Sequence, residues 1–251
     1  MAPMRRTESQ WGSYSFKKGD RLMQHKVQTA FCLFTSLLVV SCGVNSSISV
    51  EDGKTHDGNQ TTVNGGVFIG QDCTVNGNCR TVNGRVSVGS NSHVRSLKSV
   101  NGSIKLDDNI VVDGDLETVN GAIRVGEEVS VEGNLETVNG KVSVASGGSI
   151  LGTLRAVNGG IKIDNTEVTG SLVTNNGDIT LENGSRVVGN LVIRGSGGSR
   201  SDPPTIFVSG ASVVQGDIKI YDDDREVRLV LSDGGRVTGS TGSAIVERVG
   251  E

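Results

Sequence analysis

Histidine and cysteine do most of the side-chain chemistry available near neutral pH. This chain of 251 residues has three of the first and four of the second. His93 lies in a strand-like stretch, and no acid stands at a spacing that marks it as a general base. His56 falls in a polar segment. Two acidic groupings remain, Asp107-Asp108 and Asp222-Asp223-Asp224 followed by Arg225. Neither follows the glycine- and aspartate-rich nonapeptide that binds calcium. The second lies near a Gly- and Ser-rich insertion at 196–204. A carbohydrate-active enzyme would need its two carboxylates about 5–10 Å apart in a cleft formed there, and this is the alternative function. The main expectation is a chain with no catalytic residue, no metal and no cofactor. Cys73 and Cys79, in "CTVNGNC", are the remaining reactive pair.

These residues hang on a repeat. Asn-Gly recurs at Asn64-Gly65, Asn83-Gly84, Asn101-Gly102, Asn120-Gly121, Asn139-Gly140, Asn158-Gly159 and Asn176-Gly177, at spacings of 18 or 19 residues. A fixed period of this length is the mark of a solenoid. In the unit 123–141 the alternations Ile123/Val125, Val129/Val131 and Leu135/Thr137 are each followed by a turn. Alternation at period two means strand. Three strands and three corners predict an all-β fold, a three-sided single-stranded parallel β-helix with about 19 residues per coil and roughly ten coils. Residue i then lies over i+19. Inward rows must stay apolar, as in Ile104, Ile123, Val142, Ile161 and Ile179, or in Leu97, Leu116, Leu135, Leu154, Leu172 and Leu191. Outward rows are free to vary, as Lys98, Glu117, Glu136 and Arg155 do.

The corner glycines are expected to supply positive φ, and the stacked asparagines to hydrogen-bond one another's amides. Hairpin turns are the other use of Asn-Gly, but they leave the period without a reason. Val63, Val82, Val100, Val119, Val138 and Val157 either pack into the core or corner, or form an exposed apolar stripe. Beside them the row Thr62, Thr81, Ser99, Thr118, Thr137, Ala156, Thr174 is one residue wide and interrupted, short of the flat array that ice binding needs. In register, Cys73 and Cys79 replace the inward Val129 and Leu135. An oxidising compartment permits a disulfide between them; the alternative is two buried small hydrophobes.

Bulk composition agrees with a thin-walled β fold: 36 glycines, three prolines and 3% aromatic residues. Residues 1–41 carry six basic and two acidic side chains, leaving 18 basic and 26 acidic after them. An acidic body gives no electrostatic footprint for nucleic acid. The apolar run 27–40, behind Lys26, is too short to span a bilayer but fits a signal-peptide core. Residues 1–41 are therefore expected to be a signal peptide, with Met23 a candidate true start. Residues 42–60 read as a polar, flexible tether, and 61–251 as the solenoid with its inserted loop at 196–204.

Val39-Val40-Ser41-Cys42 resembles the lipobox of bacterial lipoproteins. The resemblance implies that Cys42 becomes a lipidated N-terminus anchoring the protein to membrane. Gly43, rather than Asp, implies outer-membrane sorting within the cell envelope. The units "TVNGAIRV" and "VEGNL" resemble two bacterial β-solenoid groups, the bactofilin-like polymer-forming proteins and the putative-adhesin domains rich in "VNG" coils. Over residues 60–240 the resemblance implies a structural or adhesive role. The partners would be another copy, end-to-end or side-by-side, or a glycan or other envelope component. The C-terminal Glu247, Arg248 and Glu251 read as a charged cap.

Overall fold

The structure, a computed structural model, describes residues 45–195, 203–221 and 226–250. Every regular element among them is a strand of two to five residues, and these strands form three parallel sheets. The first sheet has 11 strands, from Ile48–Val50 to Ile245–Val249. The second has 10, from Thr55–His56 to Arg236–Val237, and the third has 9, from Gln60–Thr62 to Ile218–Ile220. The chain visits the three in rotation, so each strand pairs with its equivalent one coil away: Ile104 with Ile123, Leu116 with Leu135, Leu135 with Leu154. The fold is the expected three-sided parallel β-solenoid. Pairing between coils, never within a hairpin, removes the hairpin reading of Asn-Gly.

Alternation then decides what is inside. In Ile104–Leu106, Ile123–Val125 and Leu135–Thr137 the first and third side chains are buried and the middle one faces out. Stacked identical side chains fill the lumen in single file, with Leu97, Leu116, Leu135 and Leu154 each fully buried. Each contributes about 2 kcal/mol of transfer free energy. Branched aliphatics fill so narrow a tube without rings, which accounts for the scarcity of aromatics.

The solenoid begins earlier than expected. Residues read as a tether form the first coil: Ile48–Val50 pairs with Val67–Ile69, and Thr55-His56 with Thr74-Val75. The pattern was obscured because two inward positions of this coil hold polar residues, His56 over Val75 and Gln60 over Cys79.

The three corners solve their backbone problem in different ways, and one expectation about glycine is corrected. The glycines of the Asn-Gly pairs do not have positive φ. They are needed for close approach: a Cβ on Gly84, Gly102, Gly121, Gly140, Gly159 or Gly177 would fall on the carbonyl oxygen of the corner glycine one coil below. Positive φ recurs at the corner between the first and second sheets, at Gly53, Asp72, Asn91, Asn109, Glu128, Gly147 and Asn165, and occurs once between the second and third, at Gly58. At the third corner a polar side chain caps the next coil. The Asp115 carboxylate accepts the Asn134 N–H at 2.8 Å, and the Asn134 amide oxygen accepts the Thr153 N–H at 2.9 Å.

Candidate functional site

The repeated Thr-Val-Asn-Gly is a structural device, and each letter has a task. Thr137 points inward, is 1% exposed, and its hydroxyl donates to the Gly121 carbonyl at 2.8 Å. Thr62, Thr81, Ser99, Thr118 and Thr174 make the equivalent bond, to the corner carbonyl of the coil below. The glycine one coil above lies against that same carbonyl. The asparagines run up the outside as a ladder. From Asn64, bonded to Asn45, to Asn176, bonded to Asn158, each Nδ2 donates to the Oδ1 below at 2.7–3.0 Å.

The valines of the motif are neither core nor fully exposed. Val63, Val82, Val100, Val119, Val138 and Val157 are half-buried beside the asparagines and take no part in the core cluster. Strict alternation continues through the threonine, so no bulge turns them in.

Outward rows are held in register on all three faces. On the third sheet Lys98, Glu117, Glu136 and Arg155 are consecutive neighbours, with Lys98 Nζ 2.6 Å from Glu117 Oε1. On the first, Lys105 pairs with Asp107 at 2.7 Å and Lys162 with Glu182 at 2.8 Å, while Arg124 stacks on Lys105 in register. The Glu182 hydrogen bond is the chief reason the Lys162 ammonium is held above its usual pKa.

Cys73 and Cys79 are both buried free thiols, so the disulfide reading is corrected. The geometry explains it. Cys73 Sγ is directed at the Glu51 and Gln71 carbonyls, 3.1 and 3.4 Å away. It occupies the corner position that Ser92 fills one coil on, where the serine hydroxyl donates to Gly70 and Ser90. Cys79 stands at the foot of the leucine row, paired with Leu97. Burial pushes its thiol up to about 12, so it behaves as a small hydrophobe and not as a nucleophile.

His93 has an acid partner that its sequence spacing concealed. Its Nε2 lies 2.7 Å from Asp113 Oδ1, on the outer face of the second sheet. Val111 is the register partner of His93, and Asp113 follows two residues later, so the pair is a diagonal contact between coils. The signal was one coil plus a short step, legible only once the strand register is known. Both side chains are about half-exposed.

No group of three His, Cys, Asp or Glu side chains able to hold a metal occurs among the described residues. Asp107 and Asp108 serve the fold instead, Asp107 in its ion pair and Asp108 by accepting the Glu127 N–H at 2.8 Å. Cys42, the leader, Asp222–Asp224 with Arg225, and most of the 196–204 insertion lie outside the described residues. A hollow of about 590 Å³ opens at the C-terminal end, lined by Leu231, Arg236, Val237, Thr241, Val246 and Arg248. No protein-family model, no curated protein and no solved structure matches the chain.

Proposed function

We propose that this is a membrane-anchored bacterial lipoprotein whose solenoid presents straight rows of outward side chains to a repetitive partner in the cell envelope, such as a glycan, or side-by-side to another copy of itself. The role is structural or adhesive. The observation that carries it is the outward register. Neighbouring positions such as Lys98, Glu117, Glu136 and Arg155 are fixed by backbone pairing one coil apart, about 4.8 Å. A partner with its own regular repeat can be met many times at once by such a surface, and weak contacts then multiply through effective concentration. The lipid on Cys42 supplies the anchor, and the leader with its lipobox-like Val39-Val40-Ser41-Cys42 supports that part.

Two measurements on bacteria expressing the full chain test the reading. A tagged fatty acid should label the protein and keep it in the membrane fraction, and Cys42→Ala should abolish both. Purified solenoid should co-sediment with isolated cell-wall polymer, or score on a glycan array, and lose binding when outward positions such as Lys105 and Arg124 are changed to Glu. Retention of the label in Cys42→Ala would end the anchoring part. Absence of binding both to wall polymer and to any arrayed glycan would end the display part.

A further inference from the structure

The outer face of the third sheet carries two columns of side chains. Alternation turns outward both the middle residue of each strand and the valine that follows its threonine. The first column reads Thr61, Arg80, Lys98, Glu117, Glu136 and Arg155 in consecutive coils. The second is Val63, Val82, Val100, Val119, Val138 and Val157, all half-buried. Register persists through the valines: the Val100 carbonyl accepts the Asn120 N–H at 2.8 Å, and the Val119 carbonyl accepts the Asn139 N–H at 2.8 Å.

The two columns share one centre. The valines divide evenly between Val100 and Val119. The charges from Arg80 to Glu136 run plus, plus, minus, minus, and their sign reverses between Lys98 and Glu117, in the same two coils. A two-fold axis lying in the face along the strands, midway between those coils, turns a second copy end for end and lays each column on its equivalent. Lys98 then meets Glu117 of the second copy, Arg80 meets its Glu136, and Val100 meets its Val119. Uncharged Thr61 meets Arg155. Every such pair occurs twice in an isologous contact. A parallel arrangement in register would instead set each charge against its own kind, which is unfavourable.

No group need be free for this contact. Lys98 already holds Glu117 at 2.6 Å, both side chains remaining partly exposed, and Glu136 is engaged within its own chain. At the axis the Lys98–Glu117 pairs of the two copies would close into a ring of four alternating charges. The valine stripe supplies apolar area beside it, and the charges supply the orientation.

We propose that the outer face of the third sheet is a self-recognition surface, on which two copies associate side by side and antiparallel about an axis between Lys98 and Glu117. The proposal deepens the side-by-side form of the display reading and rests on it; neither the lipid nor a glycan enters. The stripe from Val63 to Val157 is about 24 Å long, which is small for a specific interface, so the association is reversible.

Residues 43–251 form a compact unit of their own, and the sheets and core lie within it, so the unit can be studied alone. Analytical ultracentrifugation over a concentration series should show a reversible dimer. Glu117→Lys sets lysine against lysine twice across the axis and should weaken the dimer at least about tenfold. Val119→Asp should weaken it comparably. The double exchange Lys98→Glu with Glu117→Lys restores opposite signs within the chain and across the axis, and should return the dissociation constant to within about threefold of the parent's. Lys98→Glu and Glu117→Lys, each monomeric alone, should pair when mixed, which keeps the test open if the double variant misfolds by circular dichroism. A parent that stays monomeric at every concentration would overturn the proposal. Glycan display would then still stand or fall on its own, by co-sedimentation with wall polymer. A dimer unmoved by Glu117→Lys and Val119→Asp, or a folded double variant that does not dimerise, would overturn it as well.

Discussion

At the scale of single residues, the corner glycines separate two reasons for glycine that are often merged. Gly121 has ordinary φ, yet a Cβ there would meet the Gly102 carbonyl, which is backbone and cannot move aside. Gly53 has φ +67° and open space around it. Gly121→Ala should therefore cost about 3 kcal/mol as an overpacking defect, and Gly53→Ala only the αL penalty of about 1 kcal/mol. Urea denaturation of the two variants checks the order, and equal costs would contradict the close-approach account. The threonine row makes a complementary prediction. Ala156 occupies the position of Thr137 one coil on, with no hydroxyl to reach the Gly140 carbonyl. Ala156→Thr should raise stability by about 1 kcal/mol, and Thr137→Val should lower it by about 1–2 kcal/mol by stripping a partly buried carbonyl of its donor. The pair is read from thermal midpoints moving in opposite directions.

At the scale of strands and corners, what could be read from the chain divides along physical lines. The alternation Ile123/Val125 and Leu135/Thr137 is a local consequence of which side chains face the lumen, so strands, sheets and inward rows were legible. The Asn ladder was legible because stacking identical amides requires the same letter at each period. The first coil was not, because His56 and Gln60 break the apolar row at the end of the stack, where burial demands least. The role of the corner glycines was misread because close approach and positive φ select the same residue. The thiols were misread because spacing in sequence does not say where Cys73 Sγ points. The Arg228–Glu247 ion pair, 2.9 Å across the last two strands of the first sheet, gives a prediction at this scale. Hydrogen bonding to the Arg228 guanidinium, first, and its charge, second, hold the Glu247 carboxyl below the usual glutamate value. A lowered folded-state pKa means that the contribution is present above the unfolded value and is lost as pH falls through the folded one. Amide exchange in 245–249, corrected for its intrinsic pH dependence, should accelerate relative to 161–163 as pH drops below about 4.3. Glu247→Gln should remove that difference.

At the scale of the whole molecule, each coil touches only the coil above and the coil below, so stability is a sum of like terms along one axis. The segment 123–141 is one full turn: it starts at Ile123, whose register partner is Val142, and ends at the residue before it. A second copy of 123–141 inserted after Lys141 would place Leu on Leu, Asn on Asn and Gly on Gly at both new junctions. It should fold, lengthen the solenoid by about 4.8 Å, and raise the urea m-value in proportion to the surface it buries. A copy of 123–132 alone adds about half a turn. It would set first-sheet strands against third-sheet positions of the preceding coil, so the rows mismatch at that one junction and the coils beyond it lose their seat on those before it. That variant should lose cooperative unfolding in the C-terminal coils, while the strands before the insertion stay protected from exchange. The comparison isolates register from length, because both insertions add native sequence at the same site. If the full-turn insertion destabilises the protein as much as the half-turn one, the rows do not act as independent, extendable ladders. The display of side chains along the flanks would then need a cause other than coil-on-coil repetition.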